Sequence, residues 1–259
     1  MSTFLFDQII FGPVRSRRLG VSLGVNLLPV DSKICSFNCI YCECGWNPQK
    51  REQKSKLPSR EMVKQKMDEK LREMLEQSEL PDVITFAGNG EPTLHPEFEG
   101  IIDDTIELRN LLAPKARIAV LSNATMLHKS SVVRALLKVE DNIQKLDSAF
   151  EETVRKLDCP VGHFSLNKVV ENLKSFNGNV IVQTLFVRGN YKGETIDNTT
   201  GPEISAWLGL LAEIKPSQVM IYTIDRDTPA PGLEKVKLDE LRLIAQQVEK
   251  LGVKVQVSG

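Results

Sequence analysis

The sequence predicts an α/β fold: a partial (βα)6-type, TIM-like barrel with a terminal extra strand. Two observations predict it. Short apolar runs alternate with longer amphipathic segments along the 259 residues, which is the pattern of βα units on a parallel sheet. The polar and glycine-rich stretches fall just after the apolar runs, where α/β folds keep their sites. An open α/β sheet is the competing architecture. Residues 1–259 are read as one domain.

The elements follow in order. VSLGVNLL (21–28) is the first strand and leads into a cysteine-rich loop at 31–46. A helix over 59–79 starts at Ser59, a capping residue ahead of a helical apolar period. Strands are expected at 82–88, 116–123, 142–148, 179–189 and 218–225, with a closing strand at 253–258. Helices are expected at 96–112, 129–138, 149–157, 165–176, 201–214 and 238–250. The strand ends deliver GNGEPT (88–93), SNAT (122–125), LDS (146–148), VRGN (187–190) and IDRDTPAPG (224–232) to one face, beside the cysteines.

A formal net charge of −1 gives no global basic field for nucleic acid, so any RNA contact needs a local patch. The amino-terminal segment does not read as a signal peptide, since Asp7 and Gln8 interrupt its apolar run. No stretch reaches the roughly 20 apolar residues of a membrane span. A cytoplasmic location is the expectation, where clustered cysteines serve as metal ligands or catalytic thiols more often than as disulfides.

Four of the five cysteines lie in ICSFNCIYCECGW (34–46). Cys35, Cys39 and Cys42 are spaced C-x3-C-x2-C, and Cys44 follows. Structural zinc takes four ligands, usually as two separated pairs. Here there is no second pair, and His95, His128 and His163 are remote in sequence. Cys44 as a fourth ligand keeps zinc open, and Cys39 with Cys42 fits a redox pair but leaves Cys35 unused. Three thiolates on a tight loop suit a [4Fe–4S] cluster with one open iron.

The spacing, with Tyr41 just before the last cysteine of the motif, resembles the signature of the radical S-adenosylmethionine (SAM) superfamily. GNGEP resembles that superfamily's GGE-type motif, with Asn89 in its second position. FGPVRSRRLGVSLGVNLLP, GNGEPTLHPEF, KLDS and YTIDRDTPAPG resemble the branch of wyosine-synthase-like Fe–S oxidoreductases. Together these segments span residues 11 to 232.

The resemblance implies that Cys35, Cys39 and Cys42 ligate three irons and that the fourth iron chelates SAM. One electron from a donor such as flavodoxin or ferredoxin then cleaves SAM to methionine and a 5′-deoxyadenosyl radical, which takes hydrogen from substrate. It implies that Gly88, Asn89, Gly90 and Glu91 seat the methionine amino group. Ser122 and Asn123 fall where the family contacts ribose or carboxylate, and Tyr41 shields the cluster or packs by adenine. Within the fifth strand, Gln183 or Thr184 faces the cavity by alternation, and Thr184 is counted with the cofactor residues.

The branch implies tRNA nucleoside modification of the wyosine type, with tRNA or a small molecule as substrate. Wyosine-forming enzymes carry extra amino-terminal cysteines, whereas no cysteine precedes Cys35 here. An activating enzyme that takes hydrogen from a protein glycine and a noncatalytic zinc or Fe–S module are the alternatives. Arg15, Arg17 and Arg18 offer a phosphate contact or an ordinary charged face. Asp147 points toward substrate or pairs with Lys145. Cys44 reads as a spare thiol, and Cys159 as a small buried residue.

Overall fold

The structure is a computed structural model that describes residues 4–16, 19–48 and 56–259. Arg17 and Arg18 lie outside the described residues. In chain order the strands are β1 (Ile10–Ser16), β2 (Gly20–Val25), β3 (Val83–Phe86), β4 (Arg117–Ser122), β5 (Asp141–Lys145), β6 (Ile181–Leu185), β7 (Val187–Tyr191), β8 (Glu194–Asp197), β9 (Gln218–Tyr222), β10 (Leu233–Lys235) and β11 (Lys254–Ser258). The helices are α1 (Arg60–Glu76), α2 (Phe98–Leu112), α3 (Ser130–Leu136), α4 (Glu151–Leu157), α5 (Leu166–Lys174), α6 (Gly201–Ile214) and α7 (Leu238–Glu249).

One sheet runs β1-β2-β3-β4-β5-β6-β9-β11. β1 is antiparallel to β2, and every later neighbour is parallel. Among the described residues this sheet ends at β1 and β11, so the barrel is partial. The closing strand expected at 253–258 is β11, paired in register with β9 from Lys254 opposite Gln218 onward.

Alternation divides the strand side chains into two sets. Ile84, Phe86, Ile118, Val120, Val182, Val219 and Ile221 join the cluster that includes the helix residues Val63, Met67, Leu71, Ile101, Trp207, Leu211 and Leu241. Val83, Ala119, Ile143, Ile181 and Met220 form a separate cluster with Leu19 and Leu121, which fills the barrel side. Helix α1 shows how the outer layer is written. Its buried residues Val63, Met67, Leu71 and Met74 recur at helical spacing, and Ser59 caps it by accepting from Met62 N. Each such side chain contributes roughly 1.5–3 kcal/mol on burial.

Two features depart from the sequence expectation. The strand expected at 179–189 divides at Phe186 into β6 and β7. β7 then turns back as a hairpin with β8 and pairs β10 on its other edge. Lys192 and Gly193 both take positive φ (53° and 81°) at the hairpin tip, the two-residue turn that matches strand twist. β1, for which the sequence offered no strand, forms an antiparallel edge strand.

Candidate cofactor site

The loop after β2 is fixed by main-chain bonds before any side chain acts. Ile34 bridges Gly90 in parallel register. Ile34 N donates to Asn89 O at 3.0 Å, and Glu91 N donates to Ile34 O at 3.1 Å. Gly90 permits this approach. Its φ is +136°, and a Cβ there would stand 1.9 Å from Ile34 O. The cysteine loop and the GNGE loop are therefore laced edge to edge.

Asn47 closes the cysteine loop from within. Its Oδ1 accepts from Cys35 N at 3.0 Å, and its Nδ2 donates to Cys35 O at 3.0 Å and Phe37 O at 3.1 Å. The far side is tied to the end of α4: Ile40 N donates to Leu157 O and Asn38 N to Asp158 O, both at 2.9 Å. Sequence reasoning missed Asn47, because Asn before Pro reads as an ordinary turn.

Cys35, Cys39, Cys42 and Cys44 all line one cavity of about 420 Å³, together with Lys33, Tyr41, Gly88, Gly90, Glu91, Ser122 and Asn123. The segments at 88–91, 122–123 and 224–228 thus meet the cysteines as expected, whereas 146–148 and 187–190 do not line this cavity. Asn89 and Thr184 do not line this cavity. Asn89 is fully buried and donates to Phe6 O at 2.9 Å and Pro29 O at 2.8 Å, which anchors the amino-terminal segment. Thr184 faces the helices: its Oγ1 donates to Leu146 O at 2.8 Å and accepts from Trp207 Nε1 at 3.1 Å. Its neighbour Gln183 takes the inward position.

Glu91 is buried at 2% exposure. Its Oε1 accepts from Thr93 N at 3.0 Å, and its Oε2 accepts from Asn123 N at 2.7 Å. Burial pushes its carboxyl above the ordinary range despite these bonds. Asn123 Nδ2 donates to Ser36 Oγ at 2.9 Å. Ser122 Oγ accepts from Ala124 N at 3.1 Å.

The four thiols differ. A hydrogen bond with Cys44 and the Lys33 ammonium outweigh burial and hold Cys42 down at about 5. The same bond, with burial, raises Cys44. Burial and Glu91 push Cys35 up to about 12, and burial with Asp158 raises Cys39. Burial pulls Lys33 down, but neighbouring Cys42, Cys35 and Cys39 outweigh it and raise the ammonium. Lys33 Nζ also donates to Gly45 O at 2.7 Å. A positive charge under the thiols favours the thiolates that metals require.

Behind the thiols lies a buried polar group. Cys39 Sγ donates to Asp158 Oδ1 at 3.2 Å. Tyr41 Oη is shared by Asp147 and Asp158 and accepts from Lys145 Nζ at 2.6 Å. Lys145 Nζ also donates to Asp147 Oδ2 at 3.2 Å. Of the two sequence readings of Asp147, the structure places it in the pair with Lys145. Burial and Asp147 push Asp158 up to about 7. Cys159 lies off the cavity, its Sγ donating to Lys156 O at 3.5 Å.

The donor set fits an iron–sulfur cluster better than one zinc ion. Zinc needs donors converging to about 2.3 Å from a single ion. Among the described residues no three His, Cys, Asp or Glu side chains converge in that way. Three thiols on the wall of one cavity suit a larger cluster.

Comparisons with known proteins agree. The model of the radical SAM superfamily matches residues 30–199. A protein named GTPase Obg from Brachyspira hyodysenteriae is 31% identical over 223 residues, covering 85% of this chain and 30% of that protein. A UPF0026 protein from Helicobacter pylori is 30% identical over 243 residues, covering 89% of this chain and 71% of its own length.

Among solved structures, Streptococcus suis SuiB bound to S-adenosylmethionine superposes with a TM-score of 0.63 at 16% identity, covering 90% of this chain and 50% of SuiB. A radical SAM methyltransferase from Sphaerobacter thermophilus gives 0.67 at 12% identity, covering 92% and 65%. TYW1 with a lysine-pyruvate adduct bound gives 0.60 at 14% identity, covering 88% and 73%. The chain spans less than a third of the Obg relative and half of SuiB. The cofactors that accompany this fold and motif are a [4Fe–4S] cluster and S-adenosylmethionine. With its cysteine loop inside the matched region and its partial barrel shared by these structures, the chain belongs to the radical SAM superfamily and to its UPF0026 relatives.

Proposed function

We propose that the chain, acting as one domain, cleaves S-adenosylmethionine reductively and directs the resulting radical to a substrate held in the barrel. One observation carries this reading: Cys35, Cys39 and Cys42 line the same cavity as Gly88, Gly90, Glu91, Ser122 and Asn123. When bound, the cluster and SAM would supply a 5′-deoxyadenosyl radical by one-electron reductive cleavage of SAM, with methionine as the other product. The electron comes from a donor of the flavodoxin or ferredoxin type.

The protein's own part is placement. Cys35, Cys39 and Cys42 would hold three irons of the cluster. Glu91, already fixed by Thr93 and Asn123, would hold the methionine ammonium together with the Gly88–Gly90 backbone. Ser122 and Asn123 hold the ribose or carboxylate. Tyr41, locked between Asp147 and Asp158, backs the cluster and keeps water from it.

For substrate we take a nucleobase, with tRNA as its source, following the branch resemblance. Trp46, 37% exposed, stacks on Tyr191 at 6.1 Å and 21°. Lys192 Nζ stands 5.2 Å from the Tyr191 ring centre. An aromatic pair beside a cation is a platform on which unstacked bases bind. Among the described residues no helix is long and apolar enough to cross a membrane.

The test is anaerobic. Reconstituted protein is reduced, given SAM, and assayed for 5′-deoxyadenosine against a Cys39→Ala control. Cluster-dependent product supports the reading, and a colourless protein that holds zinc instead of iron rejects it. Tight tRNA retention that weakens steeply with salt supports the RNA substrate. Product that forms on a protein partner, with no effect of tRNA, favours an activating enzyme.

A further inference from the structure

Among the described residues, three cationic side chains line the cofactor cavity: Lys33, Lys145 and Arg226. Two of them are matched by carboxylates. Lys145 Nζ donates to Asp147 Oδ2 at 3.2 Å, and Arg226, largely exposed to solvent, pairs with Glu43 at 2.8 Å. Lys33 has neither water nor a carboxylate. It is 3% exposed, and no ion pair joins it to any described Asp or Glu.

Its position is fixed at both ends. The backbone beside it is held where Ile34 bridges Gly90, and its Nζ donates to Gly45 O at 2.7 Å. That bond closes the segment 33–45, which carries Cys35, Cys39, Cys42 and Cys44. The ammonium is also hydrogen-bonded to the Cys42 side chain, and the charges of Cys35 and Cys39 act on it next. A buried ammonium without a counter-charge is costly. The cysteines of the cluster loop are the side chains placed to supply one.

We propose that Lys33 is the built-in counter-ion of the cluster and sets its reduction potential. The inference rests on the radical SAM reading above. Three thiolates outweigh the two positive charges of a resting [4Fe–4S] core by one, and an added electron doubles that excess. A fixed positive charge beside the thiolates therefore stabilises the reduced form more than the oxidised form, and the potential rises. Burial keeps solvent and salt from screening the effect. The electron lost by a donor of the flavodoxin or ferredoxin type is gained by the cluster, and no proton need move. Lys33 touches no substrate and acts through the cluster alone.

The test is a redox titration of the cluster-loaded protein, followed by EPR of the reduced cluster. Lys33→Met keeps the aliphatic stem and removes the charge. It is expected to reduce at a potential at least about 59 mV lower, a tenfold change in a one-electron equilibrium. A donor that half-reduces the wild type then reduces roughly a tenth of the variant. Lys33→Arg keeps the charge and is expected to recover most of the shift. Lys33→Gln is neutral but still able to donate toward Gly45 O, so it separates the charge from the tie and is expected to follow Lys33→Met.

Neutral variants that titrate with the wild type overturn this inference alone, as does a Lys33→Arg shifted as far as Lys33→Met. Iron lost from both neutral variants but kept by Lys33→Arg assigns the charge to assembly of the cluster and overturns its role in the potential. Iron lost from all three assigns Lys33 to the fold of the loop and overturns the inference too. A wild type that holds no [4Fe–4S] cluster overturns the proposed function, and this inference with it.

Discussion

Tyr41 Oη stands 2.8 Å from Asp158 Oδ1, the same oxygen that accepts the Cys39 thiol at 3.2 Å. One carboxylate thus joins a cysteine of the cluster loop to a buried hydroxyl, and through it to Asp147 and Lys145. The Asp147 side chain is fully buried and that of Lys145 is 16% exposed. Every member of the group depends on the others for its partners.

Tyr41→Phe removes the hub and leaves two carboxylates and an ammonium short of partners. The expected loss is about 1–3 kcal/mol. Lys145→Met strands Asp147 without its counter-charge and costs more, about 3–5 kcal/mol. Urea denaturation of the cluster-free protein measures both. Wild-type midpoints for the two variants would mean that the network contributes nothing to the fold.

Gly90 tests how the two loops meet. Gly90→Ala places a methyl 1.9 Å from Ile34 O at a φ of +136°. Overpacking of this kind costs about 1–3 kcal/mol, with backbone strain added. Moving Ile34 away also moves Cys35, so iron bound per chain after anaerobic reconstitution is expected to fall. Gly209→Ala is the control. It lies in α6 with nothing within 4 Å of the added Cβ, and should keep iron while gaining about 0.5–1 kcal/mol. Equal iron in wild type and Gly90→Ala would show that the loops tolerate separation.

The pairing of α1 with α2 sets a pH dependence. Asp104 accepts from Arg60 Nε at 2.7 Å and Lys64 Nζ at 3.3 Å. The Arg60 bond, helped by Lys64 against burial, holds its carboxyl below the ordinary range. A depressed folded-state value means that the unfolded chain binds the proton first. The contribution is therefore full above the unfolded carboxylate value, about pH 3.9, and is lost as pH falls through the lower folded value. Asp104→Asn should be less stable at neutral pH, with the deficit shrinking in acid. Thermal melts between neutral pH and about pH 3 measure it; parallel curves would assign the acid loss elsewhere.

The parallel strands were legible because each is a short apolar run ended by glycine or a polar turn, and burial on both faces demands that run. The cysteine loop stood out by its crowding, but its reading as a cluster loop needed the resemblance carried by the spacing together with GNGEP. The hairpin of β7 and β8 was hidden because its turn is Lys192-Gly193 rather than a pair that advertises positive φ. Lys33, Asn47 and Asp158 escaped notice for a different reason. Their roles depend on which loops fold together, and Asp158 meets Cys39 across 119 residues of sequence. Gln183 and Thr184 show the limit of periodicity. Alternation says that neighbours face opposite ways, but not which faces in.

Thr184 turns that limit into a measurement. Its hydroxyl joins Leu146 O to Trp207 Nε1 on the helix side of β6, and Trp207 is 1% exposed. Thr184→Val keeps the shape but leaves the buried Trp207 N–H and Leu146 carbonyl without this partner, at about 1–3 kcal/mol. Stability is expected to fall while SAM affinity of the reconstituted protein stays at its wild-type value. Weakened SAM binding with unchanged stability would restore Thr184 to the cofactor set and turn β6 over. The inward residue of the pair would then not be Gln183.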